Sequence, residues 1–380
     1  MEYRRIPGSN DRMSTIGIGT GHLHELSLAE TKSLVDYALD KGVNVIDSAA
    51  SYAKSLEMLG EALRGRRSEV YHQVHLGLVF PEGQYGRSRN LDAVKAGFHD
   101  NLKRLGTDYA DIGFIHYVDE MPDLELIYSS GIFDHALELK KQGVIRRLGF
   151  ASHNVDVSTM LMETGVFDIC LFSINAAYDF DPVGNVPFAA VDMTGQDQLT
   201  VAQARSRFYR ECEKRGIGIQ VMKAFGGGTL LDASTSPFGR AMTVHQCLQY
   251  ALDRPAVLSC MVGVQSQAEL VKALSFYSAS AAERDYAFTA QLQHQGMLGS
   301  CVYCNHCLPC PANIDIAAVN KYLDLYLAGD AMAREHYLAL SQRAADCTEC
   351  AVCEANCPFE VEVRARMRLA AERMEPQINR

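Results

Sequence analysis

The chain has 380 residues, 48% of them apolar, and a formal net charge of −10. That length predicts one large domain and one small domain. The charge argues against a nucleic-acid partner, because no basic patch could neutralise phosphates. No apolar stretch reaches the roughly 18 residues of a membrane span, and the N-terminus lacks the apolar core of a signal peptide, so we expect a cytoplasmic protein.

Short apolar runs alternate with longer amphipathic segments through residues 1–280. The runs are typical of buried parallel strands, and the segments between them are typical of helices. The alternation predicts an α/β fold, a (β/α)8 TIM barrel, rather than a doubly wound sheet, because no GxGxxG follows the first strand. The eight runs are residues 14–20, 43–49, 70–77, 110–118, 145–152, 168–175, 216–225 and 258–264. Several helix patterns end in glycine, at Gly42, Gly106, Gly143 and Gly216.

Residues 281–380 carry helix patterns only, including 317–330, 333–346 and 362–374. The change of pattern near residue 280 predicts a domain boundary there. We therefore expect a barrel over 1–280 and a small all-α domain over 281–380.

Polar side chains stand at the ends of three consecutive predicted strands. Asp47 ends the second strand, His75 lies near the end of the third and His116 ends the fourth. Tyr52 follows Asp47 in the next loop. The C-terminal ends of barrel strands meet at one mouth, so we expect a carboxylate, two imidazoles and a phenol to converge there. These groups suit acid–base catalysis.

Eight of the twelve cysteines lie between residues 301 and 357, in two groups. The second group has the spacing C-x2-C-x2-C-x3-C-P, which is the bacterial ferredoxin run for a [4Fe–4S] cluster. The first group is one residue shorter before its last cysteine. Zinc sites use two C-x2-C pairs per metal, so the pattern favours iron–sulfur clusters over zinc. The groups are Cys301, Cys304, Cys307 and Cys310, then Cys347, Cys350, Cys353 and Cys357.

In two-cluster ferredoxins the fourth cysteine of each run ligates the other cluster. This rule pairs the first three cysteines of the first group with Cys357, and the first three of the second group with Cys310. The short first run leaves one cluster rather than two as an alternative. With its helical insert, the region resembles the α-helical ferredoxin domains of respiratory iron–sulfur subunits.

Residues 1–280 resemble the aldo-keto reductase family in four ordered segments. These are GVNVIDSAASYAKSLEMLGEAL, NLKRLGTDYADIGFIHYVD, KKQGVIRRLGFASHN and GIGIQVMKAFGGG. The resemblance implies an oxidoreductase that interconverts a carbonyl and an alcohol, with Tyr52 as general acid–base, Asp47 as its support and His116 orienting the carbonyl. The family usually has Lys where this chain has His75, and we expect the imidazole to take over that role.

The same resemblance implies a nicotinamide cofactor, NADP or NAD, across the barrel mouth. The implied nucleotide-binding residues are Ser152, His153, Asn175, Gly227, Gly228, Gln265 and Ser266. The first three hold the carboxamide, the glycines offer N–H groups to the pyrophosphate, and the last two lie in the adenosine-phosphate loop. That loop lacks the usual Lys or Arg, which leaves the choice of nucleotide open.

The whole chain resembles the aldo-keto reductases that carry a C-terminal 4Fe–4S domain. A hydride carries two electrons and each cluster passes one, so coupling needs an intermediary; FMN is one alternative. We expect a small carbonyl or alcohol substrate and a ferredoxin-like or flavoprotein redox partner. Two other interpretations stay open: clusters that are structural or redox-sensing only, and an electron-transfer or regulatory protein with little turnover.

Overall fold

A computed structural model describes residues 1–179, 203–236, 238–291, 301, 307–327, 330, 332–357 and 361–376. The strands in this part of the chain are β1 (Tyr3–Arg5), β2 (Arg12–Ser14), β3 (Ile16–Gly19), β4 (Val45–Asp47), β5 (Tyr71–Leu76), β6 (Leu78–Val79), β7 (Gly86–Arg87), β8 (Ala110–Ile115), β9 (Ile145–Ser152), β10 (Ile169–Ser173), β11 (Gly218–Met222) and β12 (Val257–Gly263).

The α-helices are α1 (Leu28–Asp40), α2 (Ala53–Ala62), α3 (Leu91–Arg104), α4 (Met121–Ser129), α5 (Ile132–Lys141), α6 (Val155–Glu163), α7 (Ala176–Asp179), α8 (Gln203–Arg215), α9 (Val244–Leu252), α10 (Gln267–Leu274), α11 (Ala281–Arg284), α12 (Ile316–Leu327), α13 (Ala333–Leu338), α14 (Val352–Asn356) and α15 (Val363–Met374). Their ends follow local rules. Helix α1 starts with a capping box between Ser27 and Glu30, and Gly42 follows its end at φ 86°.

Eight parallel strands close into a barrel in the order β10-β11-β12-β3-β4-β5-β8-β9. Each strand corresponds to one of the eight apolar runs, so the predicted (β/α)8 fold is confirmed and the open doubly wound sheet is excluded. The strands are buried along almost their whole length, because helices cover them outside and side chains fill them inside.

The N-terminal hairpin of β1 and β2 packs against the barrel. Ile6 and Met13 belong to the same buried cluster as barrel residues such as Val45, Phe114 and Leu171. The hairpin therefore adds apolar side chains to the barrel core.

A second hairpin, β6 paired with β7, follows β5 directly. The chain between its two strands runs through a short 3₁₀ turn, Pro81–Gly83. This excursion places Tyr85 next to the end of β8, as described below.

The described chain divides into two compact units. The first contains residues 1–174, 208–224 and 251–280, which include every barrel strand. The second contains 175–207, 225–250 and 281–380. The described residues from 281 onward form helices and no strands, as the sequence pattern predicts. The predicted boundary near residue 280 stays a prediction.

Within the second unit, α12, α13 and α15 pack around buried side chains. The Tyr337 hydroxyl donates to a Glu375 carboxylate oxygen at 2.7 Å and accepts the Ala344 N–H at 3.0 Å. Burial raises the pKa of the Tyr337 phenol, so it stays protonated as a donor. No helix among the described residues is long and apolar enough to cross a membrane.

Gly149 tests the packing of the barrel interior. A Cβ at this position in β9 would lie 2.5 Å from Phe114 Cε1 and 2.7 Å from the Ile169 carbonyl oxygen. We expect Gly149→Ala to lower the free energy of unfolding by about 1–3 kcal/mol, the usual effect of overpacking. Gly19→Ala in β3 is the matched control, since the nearest atom to its Cβ, the Val262 carbonyl oxygen, would lie 3.7 Å away. Denaturant unfolding of both variants measures the difference; equal values would contradict this account of the core.

Candidate functional site

A buried carboxylate and two buried imidazoles form a continuous hydrogen-bonded chain at the ends of β4, β5 and β8. Asp47 Oδ1 lies 2.8 Å from His75 Nε2, and His75 Nδ1 lies 3.0 Å from His116 Nδ1. The second Asp47 oxygen accepts the Ala49 N–H at 3.1 Å. The predicted convergence of Asp47, His75 and His116 is present in the structure.

The chain continues to a phenol that the sequence analysis did not name. Tyr85 Oη lies 2.8 Å from His116 Nε2. The Tyr85 side chain is buried, and its backbone N–H donates to the Ser51 carbonyl at 2.9 Å. Tyr85 is thus held against the site by the loop that follows β4.

Tyr52 lies nearby but outside this chain of hydrogen bonds. It is the half-buried residue that precedes α2, and it forms an isolated β-bridge with Gln84. Its ring contacts that of His24, with centroids 4.5 Å apart. Among the described residues, none is hydrogen-bonded to the Tyr52 hydroxyl. Its predicted role as proton donor stays a prediction.

Arginine side chains fix the backbone around His116. Arg89 Nη2 donates to the carbonyls of His116 and Tyr117 at 2.7 and 2.6 Å, and Asp123 pairs with both Arg89 and Arg87. Burial lowers the pKa of the Arg89 guanidinium, and the Asp123 carboxylate opposes that shift. Tyr117 adopts a φ of 48°, a conformation that non-glycine residues enter only when the surroundings impose it.

A third imidazole beside the site has a structural role. His72 Nε2 lies 2.6 Å from the Ser48 hydroxyl and its side chain is fully buried. Burial, assisted by Arg67, lowers the pKa of His72 to about 3. His72 is therefore neutral at physiological pH and holds the loop after β4.

Ser152 and His153, which are predicted to hold the carboxamide, are both hydrogen-bonded to the Asp119 carboxylate. Asp119 Oδ1 accepts the Ser152 hydroxyl at 3.0 Å and the His153 N–H at 2.6 Å, and its Oδ2 lies 2.9 Å from His153 Nδ1. The Asn154 amide donates to the Asp119 carbonyl at 3.0 Å. Asp119 therefore sets the orientation of both predicted contacts.

Three predicted nucleotide-binding residues belong to the second unit. Asn175 Oδ1 accepts the Tyr178 N–H at 2.9 Å, at the start of α7. Gly227 and Gly228 have φ values of 67° and 95°, which a glycine adopts without strain. The Gly228 N–H already donates to the Phe225 carbonyl at 3.0 Å.

A carboxylate from the first turn of α10 holds the loop that precedes this helix. Ser266 caps the helix through the Glu269 N–H, and a Glu269 carboxylate oxygen accepts the Gln265 N–H at 2.7 Å. Gln265 Nε2 lies 3.3 Å from His22 Nδ1.

Four thiols surround a recess of about 340 Å³, counting space open to solvent, in the second unit. They are Cys310 from the first cysteine group and Cys347, Cys350 and Cys353 from the second. The ferredoxin rule assigns these same four cysteines to one cluster. The rest of the lining includes Ile314, Val363, Arg364 and Met367.

Backbone N–H groups point at these sulfurs. The Glu349 N–H donates to Cys347 Sγ at 3.4 Å, and Glu349 and Ala351 adopt φ values of 53° and 64° that curl the loop. The Val352 N–H and the Thr348 hydroxyl hold the pKa of the Cys350 thiol below its usual range.

Cys301, Cys307 and Cys357 are described, whereas Cys304 lies outside the described residues. All described cysteines are free thiols. In the part of the chain that the structure describes, no three His, Cys, Asp or Glu side chains converge on one metal-ion position as they stand.

Two residues that shape the site were missed by the sequence analysis. Tyr85 and Asp119 both lie in loops, at no fixed spacing from a strand end that a pattern could identify. Asp119 stands three residues after His116, and a search of the loop after the fourth strand for acidic residues could have found it.

A family model confirms the resemblance to known reductases. The model of the Aldo/keto reductase family matches residues 15–246, more than half of the chain. The chain belongs to this family.

Individual relatives of this aldo/keto reductase match only part of it. The aldo-keto reductase YhdN of Bacillus subtilis is 29% identical over 168 residues, which cover 41% of this chain and 48% of the relative. A probable voltage-gated potassium channel subunit beta of Oryza sativa is 31% identical over 134 residues, 33% of this chain and 40% of the relative. The chain thus spans about half or less of these relatives' length.

Solved structures share the fold over a longer stretch. An aldo-keto reductase from Bacillus halodurans in its holo form superimposes with a TM-score of 0.60 at 19% identity, covering 77% of this chain and 96% of that one. At 19% identity this likeness supports the barrel fold alone.

Asp119 provides a test of the nucleotide site. We expect Asp119→Asn to weaken binding of a nicotinamide nucleotide about tenfold, because the amide keeps one acceptor oxygen and loses the second, which faces the His153 ring nitrogen. Fluorescence titration with NADH and NADPH measures the affinity. Asp156→Asn, on the exposed side of the neighbouring helix α6, is the matched control for charge. Equal losses in both variants would contradict the positioning role.

Proposed function

We propose that the protein is an oxidoreductase that interconverts a carbonyl and an alcohol with a nicotinamide nucleotide. The observation that carries this proposal is the buried hydrogen-bonded chain of Asp47, His75 and His116 at the strand ends of a barrel of this family. The proposal places the enzyme in the reducing cytoplasm, where clustered thiols bind metals rather than form disulfides.

The residues present fit a nicotinamide nucleotide. The Ser152 hydroxyl donates to Asp119 and accepts the Asn154 N–H, which leaves one lone pair that can accept a carboxamide N–H. When bound, the nucleotide would supply a hydride, which no side chain can. A Klebsiella pneumoniae aldo-keto reductase has been solved with NADP and acetate, at a TM-score of 0.50 and 17% identity, and this supports NADP. The Glu269 carboxylate beside Gln265 would repel the 2′-phosphate that distinguishes NADP, and this argues for NAD. Both nucleotides therefore belong in the assay.

The chain's own residues would manage the proton. An alkoxide forms as the carbonyl carbon gains hydride, and a phenol beside it can neutralise that charge. The family resemblance predicts Tyr52 as this phenol. Asp47 would be the family's supporting carboxylate, and His75 would replace the usual lysine, since an imidazole can both accept and donate a proton near neutral pH.

The test is oxidation of NADH and NADPH with simple aldehydes as substrates. We expect turnover by the wild type, with one alcohol formed per nucleotide oxidised. Asp47→Asn should lower kcat by about 10²–10⁴-fold, the usual contribution of acid–base groups, because the amide no longer fixes the His75 tautomer. The exposed Asp156→Asn serves as control. Nucleotide binding without turnover by the wild type would contradict the proposal.

That contrary result would favour the second candidate, a regulatory protein whose barrel binds nucleotide but turns over little. The observation behind this candidate is the related segment in a probable potassium channel subunit beta.

We infer further that the cysteines of residues 281–380 hold two [4Fe–4S] clusters. The recess supports one, ligated by Cys347, Cys350, Cys353 and Cys310. Each thiolate of a cubane binds a different iron, so the four sulfurs lie around a recess rather than converging on one ion as at zinc. N–H donors to the sulfurs, as at Cys347, also suit such a cluster.

The other cluster, on Cys301, Cys304, Cys307 and Cys357, rests on the sequence spacing. Two clusters would connect the barrel reaction to a ferredoxin-like or flavoprotein partner, with FMN as an alternative intermediary. Clusters that only stabilise the fold or sense redox state are the alternative. A carbonyl-reduction rate that is unchanged after cluster removal would favour that alternative.

Metal analysis after anaerobic purification tests the clusters. We expect about eight irons per chain, as two [4Fe–4S] clusters require, with visible absorption that bleaches on reduction. Cys310→Ser should remove about four irons, because it takes one ligand from one cluster. Cys247→Ser is the control, since Cys247 is buried and does not line the recess. About two zinc ions per chain instead of iron would contradict the inference.

A further inference from the structure

We propose that His24 is a positioning residue that holds the Tyr52 phenol in place for proton transfer. This inference deepens the proposed function and rests on it, since it takes Tyr52 as the proton donor. The observation behind it is a contact between the two rings, whose centroids lie 4.5 Å apart with planes inclined at 43°.

The Tyr52 side chain needs this support because its hydroxyl is not held by the rest of the described chain. None of the described residues is hydrogen-bonded to that hydroxyl, and in the same part of the chain His24 provides the only ring contact. A general acid must lie within about 2.6–3.2 Å of the oxygen that it protonates, so a small swing of the phenol would take it out of range.

The backbone of Tyr52 is held from one side by the excursion between β6 and β7. Tyr52 forms a β-bridge with Gln84, and the Tyr85 N–H donates to the Ser51 carbonyl at 2.9 Å. These contacts fix the backbone at Tyr52 but not the torsions of its side chain. The ring contact with His24 therefore decides where the phenol points.

One carbonyl connects His24 to the residue before Tyr52. The Gly21 carbonyl accepts the Ser51 hydroxyl at 2.9 Å, and His24 Nδ1 lies 3.1 Å from the same oxygen. A carbonyl only accepts, so His24 Nδ1 carries the proton and donates it to this hydrogen bond. The imidazole and the backbone that carries the phenol thus share one anchor, which sets their separation.

The segment that carries His24 is itself fixed. It is a 3₁₀ turn, Leu23–Glu25, which follows β3, and the Leu23 side chain is fully buried. The Leu26 N–H donates to the Leu23 carbonyl at 3.1 Å and closes the turn. A residue that positions another side chain needs such a locked support.

His24 meets Tyr52 as an uncharged ring. Burial lowers the pKa of the His24 imidazole, and the charges of His22 and Lys54 act in the same direction, although the Glu25 carboxylate opposes them. The imidazole is therefore neutral at physiological pH, with Nε2 3.9 Å from Glu25 Oε1. A neutral ring packs against the phenol through its shape, which another flat ring can reproduce.

The kinetic test replaces the His24 ring in two ways, with one aldehyde and the preferred nucleotide as substrates. We expect His24→Ala to lower kcat by about 10- to 100-fold with nucleotide affinity unchanged, because it misplaces the donor and removes no nucleotide contact. His24→Phe keeps a flat ring and should stay within about threefold of the wild type. The exposed His99→Ala on α3 is the control. An unchanged kcat in His24→Ala, or an equal loss in His24→Phe, would overturn the proposal.

A double-mutant cycle shows whether His24 acts through Tyr52. In a Tyr52→Phe background there is no phenol proton to position, so adding His24→Ala should lower the remaining rate by less than about twofold. A loss in that background as large as in the wild type would mean that His24 acts on another group, and the proposal would be wrong.

A spectroscopic test is independent of turnover. In protein labelled with ¹³C-tyrosine, the Tyr52 ring signals are identified by their absence in Tyr52→Phe. They should move as the pH falls below about 6.5, where histidine takes up a proton, and stay fixed over the same range in His24→Phe. Tyr52 signals that behave identically in both proteins would refute the ring contact in solution.

The outcomes separate this inference from the proposed function. A wild type that oxidises no nucleotide would overturn the reductase function and the role of His24 with it. Turnover by the wild type with no loss in His24→Ala would overturn the role of His24 alone.

Discussion

The hydrogen bond between Asp47 and His75 is the interaction on which the buried polar chain at the barrel mouth depends. Asp47 Oδ1 contacts one ring nitrogen of His75, the other ring nitrogen of His75 contacts His116, and His116 contacts the Tyr85 hydroxyl. Without a carboxylate at position 47, either ring nitrogen of each imidazole could carry the proton. One buried charge thus orders three further side chains that lie on three other segments.

The closed barrel brings Asp47 and His75 together. Strands β4, β5 and β8 are consecutive neighbours, with Asp47 opposite Gln73 and His75 opposite Phe114 in the ladder. Parallel strands in this register bring their C-terminal ends to one mouth, so residues 28 and 41 positions apart meet within hydrogen-bonding distance. The arginines and Asp123 then hold the backbone after β8 in the strained conformation that aims His116.

The cysteine-rich part of the chain uses a different principle. Its thiols lie on loops and short helices rather than at strand ends, and left-handed residues at Glu349 and Ala351 curl the loop around the recess. Such loops need backbone N–H groups turned inward to stabilise negative sulfur, and the Glu349 and Val352 amides are turned this way. The barrel therefore presents a chain of hydrogen-bonded acid–base groups, and the cysteine-rich part presents a group of clustered thiols.

Much of this protein follows from the sequence by itself. The eight buried strands, the helices ended by glycine, the strand-end residues Asp47, His75 and His116, and the two cysteine groups are all local patterns, because burial and backbone conformation repeat along the chain. Tyr85 and Asp119 were decided only by the tertiary structure. Both reach the site from loops whose paths depend on packing against distant residues, and no spacing rule encodes such a path. The sequence predicted that a phenol, a carboxylate and two imidazoles would meet, because strand ends are local features. Only the fold decided that Tyr85 is the phenol bonded to His116, because the path of its loop is not a local feature.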